Sequence, residues 1–148
     1  VFGGKITTYR HLAEEAVNTL AERVPALSAG AWTTTKPLPG GDFAVDGVEA
    51  QIAALMAAYP FIDRPWATRM IQSYGTLAAT IFVNTKTLSD CGRHFGHNLT
   101  ECEVRFGIGC EWVMSADDML WRRSKLGLRL SAEQTATLDQ FIQEARAQ

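Results

Sequence analysis

The sequence predicts an all-α fold: a leading turn and helix, then a linker, then a domain of about six helices. Three observations predict it. Apolar residues recur at three- and four-residue spacing through nearly every segment. Strand-like runs are confined to the short stretch Ile81-Phe82-Val83. Helix-start signatures precede several of the periodic segments. At 148 residues and 47% hydrophobic composition, the chain can bury a core of ordinary size. A net charge of −2 excludes a broad attraction for nucleic acid or an anionic membrane, and leaves only local basic patches.

The chain opens on Gly3-Gly4-Lys5-Ile6-Thr7-Thr8-Tyr9-Arg10 without an initiator methionine, and is expected to be a piece of a longer protein. Glycines let the backbone approach a ligand closely, and the first N–H groups of the helix that follows carry partial positive charge. Such an end suits an anion. By itself, Gly-Gly before a helix is a weak signal and more often only a tight turn. From Thr7 to about Arg23, Leu12, Ala13, Ala16, Val17 and Leu20 form one apolar face. Pro25 ends this segment. The stretch that follows has no period and contains Lys36-Pro37-Leu38-Pro39-Gly40-Gly41, so the expected division is 1–24, a linker over 25–45, and a helical domain over 46–148.

In that domain Asp46 is expected to cap a helix carrying Val48, Ile52, Leu55, Met56 and Tyr59. Asp63 is expected to cap the next, with Pro65 in its first turn and Trp66, Met70, Ile71 and Tyr74 inward. A third is expected over about 76–88, carrying Leu77, Ile81, Phe82 and Leu88. Cys91 to Leu99 reads as a loop. Thr100-Glu101-Cys102-Glu103 reads as a capping box opening a helix that runs through Trp112 and Val113, buried on most of its surface. Ser115-Ala116-Asp117-Asp118 starts another, with Arg122, Arg123 and Lys125 in its last turn and Gly127 at its close. Ser131-Ala132-Glu133-Gln134 is a second capping box, before Leu138, Phe141, Ile142 and Ala145. Glu101 with Arg105, and Asp118 with Arg122, have the spacing of surface ion pairs.

Cys91, Cys102 and Cys110 form an odd set in a chain too large to need stapling, which reads as reduced thiols of a cytosolic compartment. With His94 and His97 they invite a zinc site, but no cysteine pair has the close spacing structural zinc uses. Buried thiols and loop-tying histidines are the plainer reading. No stretch approaches the ~20 apolar residues needed to cross a bilayer. Trp112, Trp121, Arg122, Arg123 and Lys125 form an aromatic and basic cluster that fits an ordinary helix end better than a lipid contact. His11, without an identifiable partner, reads as a partly exposed polar residue, and Tyr9 and Arg10 as packing or pairing groups.

Taken together, the opening string, Leu38-Pro39-Gly40-Gly41, Tyr74-Gly75, Phe95-Gly96-His97, Glu111-Trp112-Val113 and Asp117-Asp118-Met119-Leu120-Trp121-Arg122-Arg123-Ser124-Lys125-Leu126-Gly127 resemble the C-terminal part of aerobic, FAD-dependent glycerol-3-phosphate dehydrogenases. The two end strings are the specific ones. The resemblance implies a C-terminal helical cap preceded by the last turn and helix of an FAD-binding domain. It also implies a parent that oxidises sn-glycerol 3-phosphate to dihydroxyacetone phosphate and passes electrons to a membrane quinone, from the cytoplasm or peripherally at the inner face of its membrane.

The implied partners are the substrate, the quinone and the remaining domains of the parent chain, with self-association into a homodimer open and nucleic acid excluded. Gly4, Lys5, Ile6 and Thr7 would face the flavin, with Lys5 touching flavin or substrate phosphate. Hydroxyls of Thr7 and Thr8 would either cap the helix or meet the cofactor. No catalytic residue and no metal ligand is expected in this segment, which alone would be inactive. The alternatives are a glycerol-3-phosphate oxidase using oxygen, and a non-catalytic helical module for dimer or membrane contact.

Overall fold

The computed structural model describes residues 5–28 and 30–147. The chain divides into two compact units, Val1–Leu38 and Pro39–Gln148.

In the first unit, a single tight turn over Ile6–Thr8 runs into α1 (Tyr9–Ala21), and a second turn spans Pro25–Leu27. The Thr33–Thr34 segment is tied back to α1. Arg10 pairs with Glu14 at 3.0 Å and donates to the Thr33 and Thr34 hydroxyls, while the Thr33 hydroxyl bonds the Glu14 carboxylate. The Thr33 bond and the Arg10 charge hold the Glu14 carboxyl below its ordinary pKa. None of the described residues of this unit is buried. Val17 and Leu20, on the apolar face of α1, are exposed.

The second unit is helical: α2 (Val48–Ala58), α3 (Arg64–Tyr74), the short α4 (Ala78–Ile81), α5 (Glu101–Cys110), a π-helical turn over Asp118–Arg123, and α6 (Ala132–Arg146). The helical class is as expected. Asp63 caps α3, accepting from the Trp66 N–H at 2.9 Å. Ser131 and Gln134 close the box before α6, at 3.2 and 2.9 Å. Both surface pairs form, Arg105–Glu101 and Arg122–Asp118, each at 2.8 Å.

Several expectations are corrected. Asp46 does not cap α2, whose N-cap is Gly47. The helix expected over 76–88 survives only as a Gly75–Leu77 turn and α4. Its β-branched residues disfavour continuation, and the Thr80 and Thr85 hydroxyls bond backbone carbonyls of Leu77 and Phe82 instead of leaving the helix undisturbed. The loop over 91–99 contains a small antiparallel hairpin, β1 (His94–Gly96) with β2 (Leu99–Thr100), turned at His97 with φ 51°. Strands of three and two residues carry too little alternation to read from sequence.

α5 stops at Cys110 rather than running through Val113, because Trp112 takes φ 54° and the Val113 N–H reaches back to the Gly107 carbonyl at 3.1 Å. Trp112 and Cys110 are therefore exposed, and Val113 is buried. Finally, the segment after Ser115 winds as a π turn, with the Ser124 N–H bonded to the Met119 carbonyl five residues back at 3.1 Å. Gly127 does not close it. Gly127 lies against the Trp121 ring, where a side chain would collide.

Two apolar clusters form the core of this unit. One joins α2, α3 and α4 through Ile52, Leu55, Met70 and Ile71 with the edge-to-face rings of Trp66 and Phe82. The other joins the hairpin, α5, the π turn and α6 through Leu99, Val104, Met119, Leu120, Leu138 and Ile142.

Candidate functional site

The opening turn places Lys5, Ile6 and Thr7 together in solvent, and Gly4 lies outside the described residues. Lys5 is extended, with φ −103° and ψ 141°, and its carbonyl accepts from both the N–H and the hydroxyl of Thr8 at 3.0 Å. Neither Thr7 nor Thr8 caps α1. The first turn carries no carboxylate. The positive end of α1 is thus neutralised by no side chain of its own, and Lys5 adds a cation beside it. Ile6, 88% exposed, is an apolar residue held in water at the same place. His11 does have a carboxylate neighbour, Glu15 at 3.3 Å, one helical turn on, in an exposed pair.

In the second unit, two of the glycine motifs meet. Gly40 (φ 81°) and Gly75 (φ 55°) adopt backbone conformations that L side chains rarely take; a Cβ on Gly75 would strike the Gly40 carbonyl, and one on Gly40 the Tyr74 carbonyl. The Thr76 N–H donates to the Gly40 carbonyl at 3.1 Å, and the Thr76 hydroxyl bonds the Asp42 carboxylate. Just before Gly75, Tyr74 enters a buried polar network. Its hydroxyl donates to Glu103 at 2.9 Å, and Arg69 clasps the same carboxylate with two bonds of 2.6 and 2.7 Å. Arg69 also donates to the side chain and backbone carbonyls of Asn98, at 2.8 and 3.1 Å.

Glu103 is fully buried. Burial opposes the charge on Arg69, but the Glu103 bonds and charge outweigh it and hold the guanidinium pKa above its ordinary value. Burial, reinforced by Glu103, pushes the Tyr74 phenol up. This network bonds α3 to α5 and to the hairpin turn. Sequence reading missed it by assigning Glu103 to a capping box, and the available signal was an acidic residue beside Val104 on a helix expected to be buried on most of its surface. Thr100, its expected partner, keeps the N-cap position but leaves its buried hydroxyl without a bond.

The remaining candidates are not brought together into a site. Among the described residues no group of three or more His, Cys, Asp or Glu side chains is arranged to hold a metal. His94 bonds the His97 carbonyl at 2.9 Å across the hairpin turn. In the aromatic and basic cluster, Arg123 donates to the Glu111 carbonyl at 2.9 Å and Lys125 to the Trp121 carbonyl, so both cations serve their own loop. No helix of the described residues is long and apolar enough to cross a membrane.

A family model described as the C-terminal domain of alpha-glycerophosphate oxidase matches residues 31–148. The chain belongs to this family. It is 41% identical over 145 residues to the aerobic glycerol-3-phosphate dehydrogenase of Escherichia coli (strain K12), covering 97% of this chain and 28% of that protein. It is 43% identical over 143 residues to a glycerol-3-phosphate dehydrogenase of Pseudomonas aeruginosa, again over 97% of this chain and 28% of the relative. A D-erythritol 1-phosphate dehydrogenase of Brucella abortus is 38% identical over 142 residues, 95% of this chain and 28% of the relative. The chain therefore corresponds to a C-terminal part of these dehydrogenases and spans little more than a quarter of their length. The family resemblance carried by the two end strings is sound.

Proposed function

We propose that this segment is the helical cap, with the preceding flavin-side turn and helix, of an enzyme that oxidises sn-glycerol 3-phosphate to dihydroxyacetone phosphate. FAD, when bound, supplies the acceptor for the C2 hydride, and the electrons pass on to membrane quinone. The observation that carries the reading is the start of α1: a helix end with no side-chain cap and no carboxylate in its first turn, Lys5 beside it, on a helix that buries none of its residues. Oriented N–H donors and a compact cation suit both a reduced flavin's charge and a substrate phosphate. Gly4, Lys5, Ile6 and Thr7 would line that wall, and Lys5 would hold the anion.

The other walls and the catalytic residues would come from the rest of the parent chain, so residues 1–148 alone are inactive in this reading. Glycerol 3-phosphate is preferred to erythritol 1-phosphate because the two glycerol-3-phosphate dehydrogenases above share more identity with this chain. Quinone is the acceptor that the sequence resemblance implies, with oxygen as the alternative. The protein would work at the cytoplasmic side of the membrane as a peripheral enzyme, and any dimer would be formed by the full-length chain.

The test uses the full-length protein. Its flavin absorbance should bleach on addition of glycerol 3-phosphate without stoichiometric hydrogen peroxide, and Lys5→Ala should lower kcat/KM by about tenfold to a hundredfold, the loss expected for a charged hydrogen bond of ~1.5–3 kcal/mol. The circular dichroism spectrum should not change. A colourless protein, or unchanged kinetics in the variant, would remove the flavin assignment or Lys5 respectively. Peroxide at one equivalent per turnover would make it an oxidase.

A further inference from the structure

Two of the three cysteines come together at the base of the hairpin. The Arg93 carbonyl accepts from the Glu101 N–H at 2.8 Å, and the Glu101 carboxylate accepts from the Arg93 N–H at 3.1 Å, so the chain before β1 and the chain after β2 lie side by side. Gly92 sits so close to the Glu101 side chain that it has no room for a Cβ. Cys91 precedes Gly92, and Cys102 follows Glu101. The Cys102 Sγ donates to the Asp90 carbonyl at 3.8 Å, the carbonyl of the peptide bond that leads into Cys91.

The two thiols differ in access. Cys91 is fully buried, whereas Cys102 is partly exposed and lines a cavity of about 370 Å³ with Thr80, Asn84, Asp90, Arg105 and Phe106. The two side chains come close enough to influence each other's protonation, and a disulfide bridges cysteines whose Cα atoms lie about 4.4–6.8 Å apart.

We propose that Cys91 and Cys102 are a peroxide-responsive dithiol, with Cys102 the attacking sulfur and Cys91 the resolving one, closing to an intramolecular disulfide that clamps the Leu88–Cys91 turn to the start of α5. The Cys102 thiolate attacks an oxygen of hydrogen peroxide, forming a sulfenic acid and releasing hydroxide. The Cys91 thiolate then attacks that sulfur, the S–S bond forms, and the second oxygen leaves as hydroxide. The two thiol protons convert both hydroxides to water, and two electrons pass from the sulfurs to the peroxide. An added dithiol reverses the reaction by exchange.

Burial, with Cys102 close by, pushes Cys91 up to about 11, and burial also raises Cys102. Both thiols are therefore mostly protonated at neutral pH, and because the thiolate fraction grows close to tenfold per pH unit below the pKa, closure should speed up by more than tenfold between pH 7 and pH 9.

The experiment treats the full-length protein with hydrogen peroxide, alkylates the remaining thiols and maps unreduced peptides by mass spectrometry. A Cys91–Cys102 linked peptide, lost on adding dithiothreitol, is expected, with Cys110 still alkylated or separately oxidised. In Cys91→Ala, Cys102 should label severalfold more strongly with dimedone, because its sulfenic acid has no resolving partner. The proposal is overturned if Cys102 proceeds to sulfinic acid while Cys91 stays alkylatable, if dimedone labelling is the same with and without Cys91, if the disulfides formed run through Cys110, or if neither thiol reacts.

Discussion

Residues 9–21 and residues 132–146 are both amphipathic helices of ordinary length, yet α6 buries Leu138, Phe141 and Ile142 while α1 buries nothing. α6 begins in a reciprocal capping box and packs its stripe into the second apolar cluster. α1 begins uncapped, and its Leu20 remains 53% exposed. The same sequence pattern thus specifies an apolar face without specifying its cover. Where the covering elements belong to the same unit, the stripe contributes about 1.5–3 kcal/mol for each fully buried large side chain. Where they do not, the helix is held by a few local bonds, here the Arg10–Glu14–Thr33 cluster.

The comparison is broken most sharply by separating the two units. Residues 39–148 should unfold cooperatively when heated, with helical circular dichroism, whereas residues 1–38 should show little helix in water, since isolated helices shorter than ~12–15 residues are marginal. A stable helical 1–38 peptide, or a molten 39–148 fragment, would contradict the contrast.

Next in size is the tie inside the larger unit. Glu103→Ala leaves the Arg69 guanidinium buried without its partner and should cost about 3–5 kcal/mol in urea denaturation. An Arg69→Met, Glu103→Leu double variant should recover much of that loss, because packed apolar groups replace the pair without an uncompensated charge.

The smallest effects refine the contrast itself. Leu120→Ala, at a fully buried position, should cost about 2–5 kcal/mol, while Leu20→Ala should change the stability of this chain by less than ~0.5 kcal/mol. In the full-length protein, Leu20→Ala should become costly by thermal melt if upstream elements cover α1, and should stay neutral if they do not.

Much of the architecture was legible in the chain. Asp63 before Pro65, and Ser131 before Gln134, each place the cap and its partner within three residues, so local chemistry alone marks the helix start. The helical periods of α2, α3 and α6 were legible for the same reason. What failed had long-range causes. Glu103 has the spacing of a capping partner for Thr100, but it bonds Arg69 and Tyr74, 34 and 29 residues away. The break after Ile81 and the left-handed turn at Trp112 follow from side chains seeking the core and from hydroxyls bonding backbone, neither of which alters the apolar spacing. At the candidate site, the motif drew attention to Lys5, Ile6 and Thr7, but their exposure and the missing side-chain cap at the head of α1 emerge only from the structure.

The sequence by itself determined the helical class, two capped helix starts and membership in the glycerophosphate oxidase and dehydrogenase family, because periodicity, caps and motif strings are written in residues near one another. Only the tertiary structure decided that Gly40 meets Gly75, that Arg69 clasps Glu103, and that Cys102 reaches the peptide of Cys91. Each of these joins residues far apart in the chain. Their energies depend on burial and on mutual approach, and those exist only after the helices have packed.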